Sequence, residues 1–291
     1  MTRSPLSTDV RFLPRPEGRL AYTDQGAGPL VVAVPGMGDV RSTWDDVVPP
    51  LVAAGHRVVV MDLRGHGDSD TTFRTHGDEA TASDYVALVE HLGAGPAVLM
   101  GSSMAASAAV VAAADRPDLV RGLVLVDGFL RANGSALAQR AMRVLFRLAL
   151  ARPWGPAVWS AFYGSLAKGR RPARLAQHRA AVRANLRDPA RLRSFRDLTL
   201  QLDHAVVEPR LAHVQAPALA VFGALDPDYG DPAAEAAFAE RSVGATTLVL
   251  PDVGHYPQIQ APDELVAAVL AHLATLPAHV PGAGSEEGGR A

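Results

Sequence analysis

The 291-residue sequence contains no cysteine. That excludes disulfides, thiolate metal sites and a cysteine nucleophile. Long apolar runs are missing too: no stretch approaches the roughly 18 to 20 residues of a membrane span. The opening residues, MTRSPLSTDVRFLPRPEG, hold no apolar h-region, so no signal peptide is expected and a cytoplasmic location is the default. Net charge is small, −2, which leaves no overall field to attract nucleic acid. The histidines do not cluster at metal-ligand spacing, and no glycine-rich phosphate loop or internal repeat is present. The expectation is therefore no metal, no cofactor, and neither nucleic acid nor a membrane as partner. No oligomeric state follows from the sequence.

What is there is an ordinary globular composition, 48% hydrophobic and 20% charged, long enough to bury a large core. Charge is unevenly placed. Residues 129–213 hold sixteen basic and four acidic side chains, whereas the rest holds twelve basic and 26 acidic. This marks 129–213 as a separate compositional unit. The glycine-rich end, VPGAGSEEGGRA, is nearly free of apolar residues, so 278–291 are expected to be a disordered tail.

Six short runs, LVVAVPG (30–36), RVVVMD (57–62), AVLMG (97–101), RGLVLVDG (121–128), ALAVFG (218–223) and TTLVLP (246–251), are rich in Val and Leu. Most end at Gly, Pro or Asp, the pattern of strands buried on both faces of a parallel sheet. Helix-like stretches lie between them: STWDDVVPPLVAAG, ATASDYVALVEHLG, SMAASAAVVAAADRP, DPAAEAAFAERSVG and APDELVAAVLAHLATL. The alternation predicts a doubly wound α/β domain. VRFLP and GRLAYTDQG predict an antiparallel hairpin at the sheet edge. Residues 129–213 break the alternation with four amphipathic helical stretches and no strand. They predict an inserted lid over the carboxyl ends of the strands, where open α/β sheets bind ligands, with its arginines mostly solvated.

Two adjacent serines in AVLMGSSMAAS (97–107) follow an apolar run. A serine presented on a sharp strand-to-helix bend needs small residues two before and two after it. Ser103 meets this with Gly101 and Ala105; Ser102 is flanked by Met100 and Met104 and is expected to face the packing. The plain alternative is a helix N-cap at Ser103. His255, in GHYP, follows TTLVLP, and Asp226, in FGALD, follows ALAVFG, both at the same predicted edge. The order Ser, Asp, His suits a nucleophile, an orienting acid and a base whose ordinary pKa is near 6.5. Taken singly, the histidine could be a surface residue and the aspartate a turn former, and Asp228 rivals Asp226. An oxyanion hole needs two convergent N–H groups. Met104, after the serine, and Met37, in VPGMGD, are the candidates, though PGMG also reads as an ordinary turn.

These segments, VPGMG, MDLRGHGDSD (61–70), GSSMAA, FGALD and VGHYP, resemble the α/β-hydrolase superfamily, in its lipase, esterase and dehalogenase-like branch, over roughly residues 9–277. The resemblance implies an eight-stranded sheet with a helical cap: a core of 1–128 and 214–277 and a cap of 129–213. It also implies the triad Ser103, Asp226 and His255, with the Met37 and Met104 amides as oxyanion hole. His66, in the DLRGHG loop, is structural on this reading. Pro35 stands where the family usually has His, and Ala105 and Ala106 replace its glycines after the nucleophile. A serine, where dehalogenases and epoxide hydrolases of this fold use Asp, points to an acyl-enzyme.

The expected activity is hydrolysis of a small carboxylic ester. The alternatives are a pathway-specific C–C hydrolase, thioesterase, lactonase or acyl transferase, or a slow-turnover ligand-binding protein. Gly36, Phe129, His204 and Tyr256 are the candidate pocket residues. Leu130, Trp154, Trp159, Phe162 and Tyr163 are lid side chains of which a minority should line the pocket.

Overall fold

A computed structural model describes residues 9–132 and 136–277; the tail expected at 278–291 lies outside the described residues. Eight strands, β1 (Arg11–Arg15), β2 (Gly18–Gln25), β3 (Leu30–Val34), β4 (Arg57–Met61), β5 (Ala97–Ser102), β6 (Val120–Val126), β7 (Ala218–Gly223) and β8 (Thr246–Leu250), form one sheet. Their order is β1-β2-β4-β3-β5-β6-β7-β8. The expected edge hairpin is β1 with β2, and β2 pairs antiparallel to β4. The pairs from β4 to β8 are all parallel.

The apolar runs become strands because successive side chains serve opposite faces. Val31 and Ala33 pack into one core, while Leu30, Val32 and Val34 pack into the other. Val58 and Val60 against Val59 and Met61, and Val124 and Val126 against Leu123 and Leu125, divide the same way. Helices α1 (Val48–Ala53), α2 (Asp78–Leu92) and α3 (Met104–Asp115) precede β6. Between β6 and β7 come α4 (Ala136–Ala149), α5 (Gly155–Leu166), α6 (Ala173–Asn185) and α7 (Pro189–Gln201); α8 (Pro232–Val243), α9 (Pro257–Gln260) and α10 (Pro262–Thr275) follow β7. One face of the sheet is covered by α1 and α10, the other by α2, α3 and α8.

STWDDVVPPLVAAG departs from the single helix expected. It forms a 3-10 turn, Arg41–Trp44, and then α1 with its prolines in the first turn. Proline is tolerated there because those N–H groups have no intrahelical acceptor, and so it sets the helix start. The segment between β6 and β7 contains no strand among its described residues and ends in two 3-10 turns, His204–Val206 and Glu208–His213. It has its own cluster, in which Trp159, Tyr163, Leu192 and Phe195 pack with Tyr256 and Ile259 from the loop and helix after β8. Its arginines are less solvated than expected. Arg174 pairs with Asp46 at 2.7 Å and Asp45 at 3.1 Å, Arg210 with Glu79 at 2.9 Å and Asp115 at 3.1 Å, and Arg131 with Glu235 at 2.7 Å. The basic insertion meets the acidic remainder of the chain through these contacts.

Candidate active site

Strands β3, β5, β6, β7 and β8 run parallel, so their carboxyl ends share one edge. The loops that leave them carry Met37, Ser103, Asp127, Asp226 and His255. The bend at Ser103 is sharp: φ is 55° and ψ −125°. Among the described residues, the only non-glycine positions with positive φ are Ser103 and Asp127, at 46°. Such conformations cost on the order of 1–3 kcal/mol each and persist only where packing enforces them. Ser103 makes no side-chain capping bond to α3, so the N-cap alternative does not describe its hydroxyl. Close packing enforces the bend. A Cβ on Gly101 would run into the Ala105 carbonyl, and one on Gly36 would lie 3.0 Å from the Ser103 Cβ. Ser102 is held elsewhere: Gln258 Nε2 donates to its Oγ at 3.1 Å.

His255 and Asp226 are both buried, and His255 Nδ1 lies 2.6 Å from Asp226 Oδ2. The rival, Asp228, has its Oδ2 3.7 Å from the same nitrogen; its N–H instead donates to Asp226 Oδ1 at 2.9 Å. Burial opposes charging of the His255 imidazole. The charge and hydrogen bond of Asp226, then the negative charges of Asp228 and Asp127 where those carboxyls are ionised, outweigh it and raise the imidazole above its ordinary value. The His255 N–H donates to the Leu166 carbonyl at the end of α5 at 3.1 Å, and Gln260 Oε1 accepts from Gly254 N–H at 3.1 Å. The inserted segment thus helps fasten the histidine loop.

The loop after β3 turns back on itself through Asp39 N–H donating to the Gly36 carbonyl at 3.2 Å, with Gly38 at φ 70°. Only glycine takes that φ without steric penalty. Two side chains outside the loop clamp Gly38. His66 Nε2 accepts from its N–H at 3.1 Å, and Trp159 Nε1 donates to its carbonyl at 2.9 Å. Burial pushes His66 down to about 4, so it stays neutral and can accept. Met104 opens α3, and an amide in that first turn has no intrahelical acceptor.

A cavity of about 650 Å3 opens over these loops, within the size range of small-molecule sites. Ser103 and His255 line it, as do the four residues expected from sequence, Gly36, Phe129, His204 and Tyr256. Phe129 stacks on His204 with centroids 4.7 Å apart, and His204 Nδ1 is 2.8 Å from the buried Asp78. Of the five side chains offered from the segment between β6 and β7, Trp159 and Phe162 line the cavity, whereas Leu130, Trp154 and Tyr163 do not, and Trp154 is half exposed. Met142, Leu145 and Phe146 of α4 complete the apolar wall. Sequence reasoning missed these because an amphipathic helix does not announce which surface its apolar stripe will meet.

Among the described residues, one group places potential metal-ligand atoms close together: Asp127, Asp226 and His255, all within 4.8 Å and buried. Its Nδ1–Oδ2 contact is already a hydrogen bond, and a cation would have to separate the pair.

The description "Alpha/beta hydrolase family" matches residues 31–269. A rice protein (Oryza sativa subsp. japonica) named as a probable esterase is 26% identical over 266 residues, 87% of this chain and 94% of that one. The mouse (Mus musculus) sn-1-specific diacylglycerol lipase ABHD11 is 35% identical over 104 residues, 34% of this chain and 32% of that one. The chain spans less than half the length, 31% to 41%, of the curated relatives it matches at 35% to 37% identity. Among solved structures, a thermophilic esterase from Thermogutta terrifontis superposes with a TM-score of 0.77 at 25% identity, covering 92% of this chain and 98% of that one. No helix among the described residues is long and apolar enough to cross a membrane. The strand order, the parallel-edge site and the family match over most of the chain lead to one conclusion: this protein belongs to the alpha/beta hydrolase family.

Proposed function

We propose that the protein is a serine hydrolase that cleaves carboxylic esters through an acyl-enzyme on Ser103. The observation that carries this reading is the strained bend that presents Ser103 at a cavity shared with His255, whose Nδ1 is bonded to Asp226. With Nδ1 committed to Asp226, Nε2 is the nitrogen available to take the Ser103 proton. Ser103 Oγ attacks the ester carbonyl, and the Met37 and Met104 amides receive the oxyanion. His255 then passes its proton to the departing alkoxide, which leaves as the alcohol. Water, deprotonated by the same imidazole, attacks the acyl-enzyme and releases the acid.

The core is assigned to 1–128 and 214–277 and the cap to 129–213, on the change of charge along the sequence and on the run of helices without a strand among the described residues between β6 and β7. The apolar wall from α4 and α5 favours esters with an apolar acyl or alcohol part. The test is hydrolysis of p-nitrophenyl esters of increasing acyl length by wild type and Ser103→Ala. Turnover with a defined length optimum is expected, falling on the order of 10⁴-fold or more in the variant. Undiminished turnover by Ser103→Ala would refute the assignment.

A further inference from the structure

Asp127 stands at the end of β6, between the residues read as acid and base and the strand that leads to the cap. It is completely buried, and its backbone is held in the left-handed region by two bonds. Its N–H donates to the Val221 carbonyl at 2.8 Å, and its Oδ1 accepts from Gly223 N–H at 3.0 Å. Oδ2 is buried with no partner so long as Asp127 is only an acceptor. The group facing it is the side chain of Asp226, which with His255 completes the 4.8 Å cluster. Two ionised carboxyls cannot share such a space without strong repulsion, whereas one proton between them makes a strong hydrogen bond. Asp226 already uses Oδ2 for His255 and Oδ1 for the Asp228 N–H. It is the better placed of the two to carry the negative charge.

We propose that Asp127 is a positioning residue that holds a proton and donates it in a hydrogen bond to Asp226, fixing the carboxylate that orients His255 and limiting the negative charge around the imidazole. This rests on the reading of Asp226 and His255 as acid and base. Burial first, then the charge of Asp226, pushes the Asp127 carboxyl well above the usual range, in agreement with the geometry. The titratable groups facing this pair come from the loops after β7 and β8: His255, Asp228, Tyr229 and Tyr256. Burial keeps both phenols protonated, and Asp228 acts on His255 from 3.7 Å. An ionised Asp127 is one of the charges that raise the imidazole, so a neutral Asp127 leaves it lower and better able to work as a base at neutral pH.

The two protonation states predict opposite results. The acid limb of the kcat/KM profile reports the loss of the His255 proton. If Asp127 is a neutral donor, Asp127→Ala concentrates charge on Asp226 and moves that limb up by about one pH unit, the scale of one hydrogen bond to a charged group. Asp127→Asn, which keeps both a donor and an acceptor, restores the limb to its wild-type position. If Asp127 is ionised, both variants remove a negative charge and both move the limb down, which would overturn the proposal. A second readout needs neither turnover nor the alanine variant. At neutral pH, the infrared difference spectrum of wild type minus Asp127→Asn should contain the C=O stretch of a protonated carboxylic acid. A carboxylate pair of bands in its place would overturn the proposal, and since the spectrum is independent of turnover, a failed assignment of Ser103 would not be mistaken for it.

Discussion

At the scale of single residues, two neighbouring serines have different fates because β5 ends between them. Ser102 is still in the strand and its Oγ accepts from Gln258, while Ser103 takes the bend. Ser102→Ala should therefore keep most of the activity and cost roughly 1 kcal/mol of stability, the value of one buried hydrogen bond. Steady-state kinetics beside urea unfolding would check this; an activity loss equal to that of Ser103→Ala would mean that the reading frame is wrong. His66 acts through Gly38. Its pKa is about 4 in the fold against an ordinary 6.5, so between these values the unfolded chain binds a proton that the folded chain does not. Stability contributed by neutral His66 is then complete above 6.5 and lost as pH falls toward 4, on the order of 3 kcal/mol. Urea midpoints across that window should fall for wild type, and the slope should be shallower for His66→Gln. An equal slope in both would refute a neutral His66.

At the scale of elements, the bend depends on how closely α3 approaches β5 and β6. Ala105 and Ala106 stand where the resemblance led to glycines, and the structure accommodates the extra methyl of Ala106 by placing Gly128 opposite it. A Cβ on Gly128 would lie 2.7 Å from the Ala106 Cβ. Gly128→Ala should destabilise the protein by about 1–3 kcal/mol through overpacking. Ala106→Gly in the same chain should relieve much of that. A double-mutant cycle by urea unfolding measures the coupling, and additive losses would contradict the contact. The helices between β6 and β7 make a comparable contact: Trp159, packed on Phe195 at 4.6 Å, reaches the Gly38 carbonyl.

At the scale of the whole molecule, charge and topology act together. Arg131, Arg174 and Arg210 of the insertion are engaged with carboxylates of the sheet domain, and Arg143, which lines the cavity, donates to the Leu202 carbonyl at 3.2 Å. Pairing compensates the charge of Arg131, Arg174 and Arg210, whereas Arg143 keeps its charge at the cavity wall because its partner is a neutral carbonyl. If most of the remaining arginines serve solvation and not recruitment, added salt should change kcat/KM for anionic and neutral esters by the same small amount; a preferential fall for anionic esters would show that the arginines recruit substrate. The sheet was legible because Val and Leu runs such as LVVAV and RVVVM are buried on both faces and end in turn residues at one edge. The same regularity brought Ser103, Asp226 and His255 into view, each lying just beyond a run. Asp127 also ends a run, but its meaning depends on the distance to Asp226 across the sheet edge. His66 and Trp159 depend on a backbone contact with Gly38 that no local pattern encodes.

The central claim is that Ser103, and no other residue, becomes acylated. Its most direct test is to react the protein with a fluorophosphonate and locate the adduct by peptide mass spectrometry. One phosphonyl group on Ser103, absent from Ser103→Ala and retained by Ser102→Ala, is the predicted result. An adduct on Ser102, or an active enzyme that takes up no label at Ser103, would contradict the account.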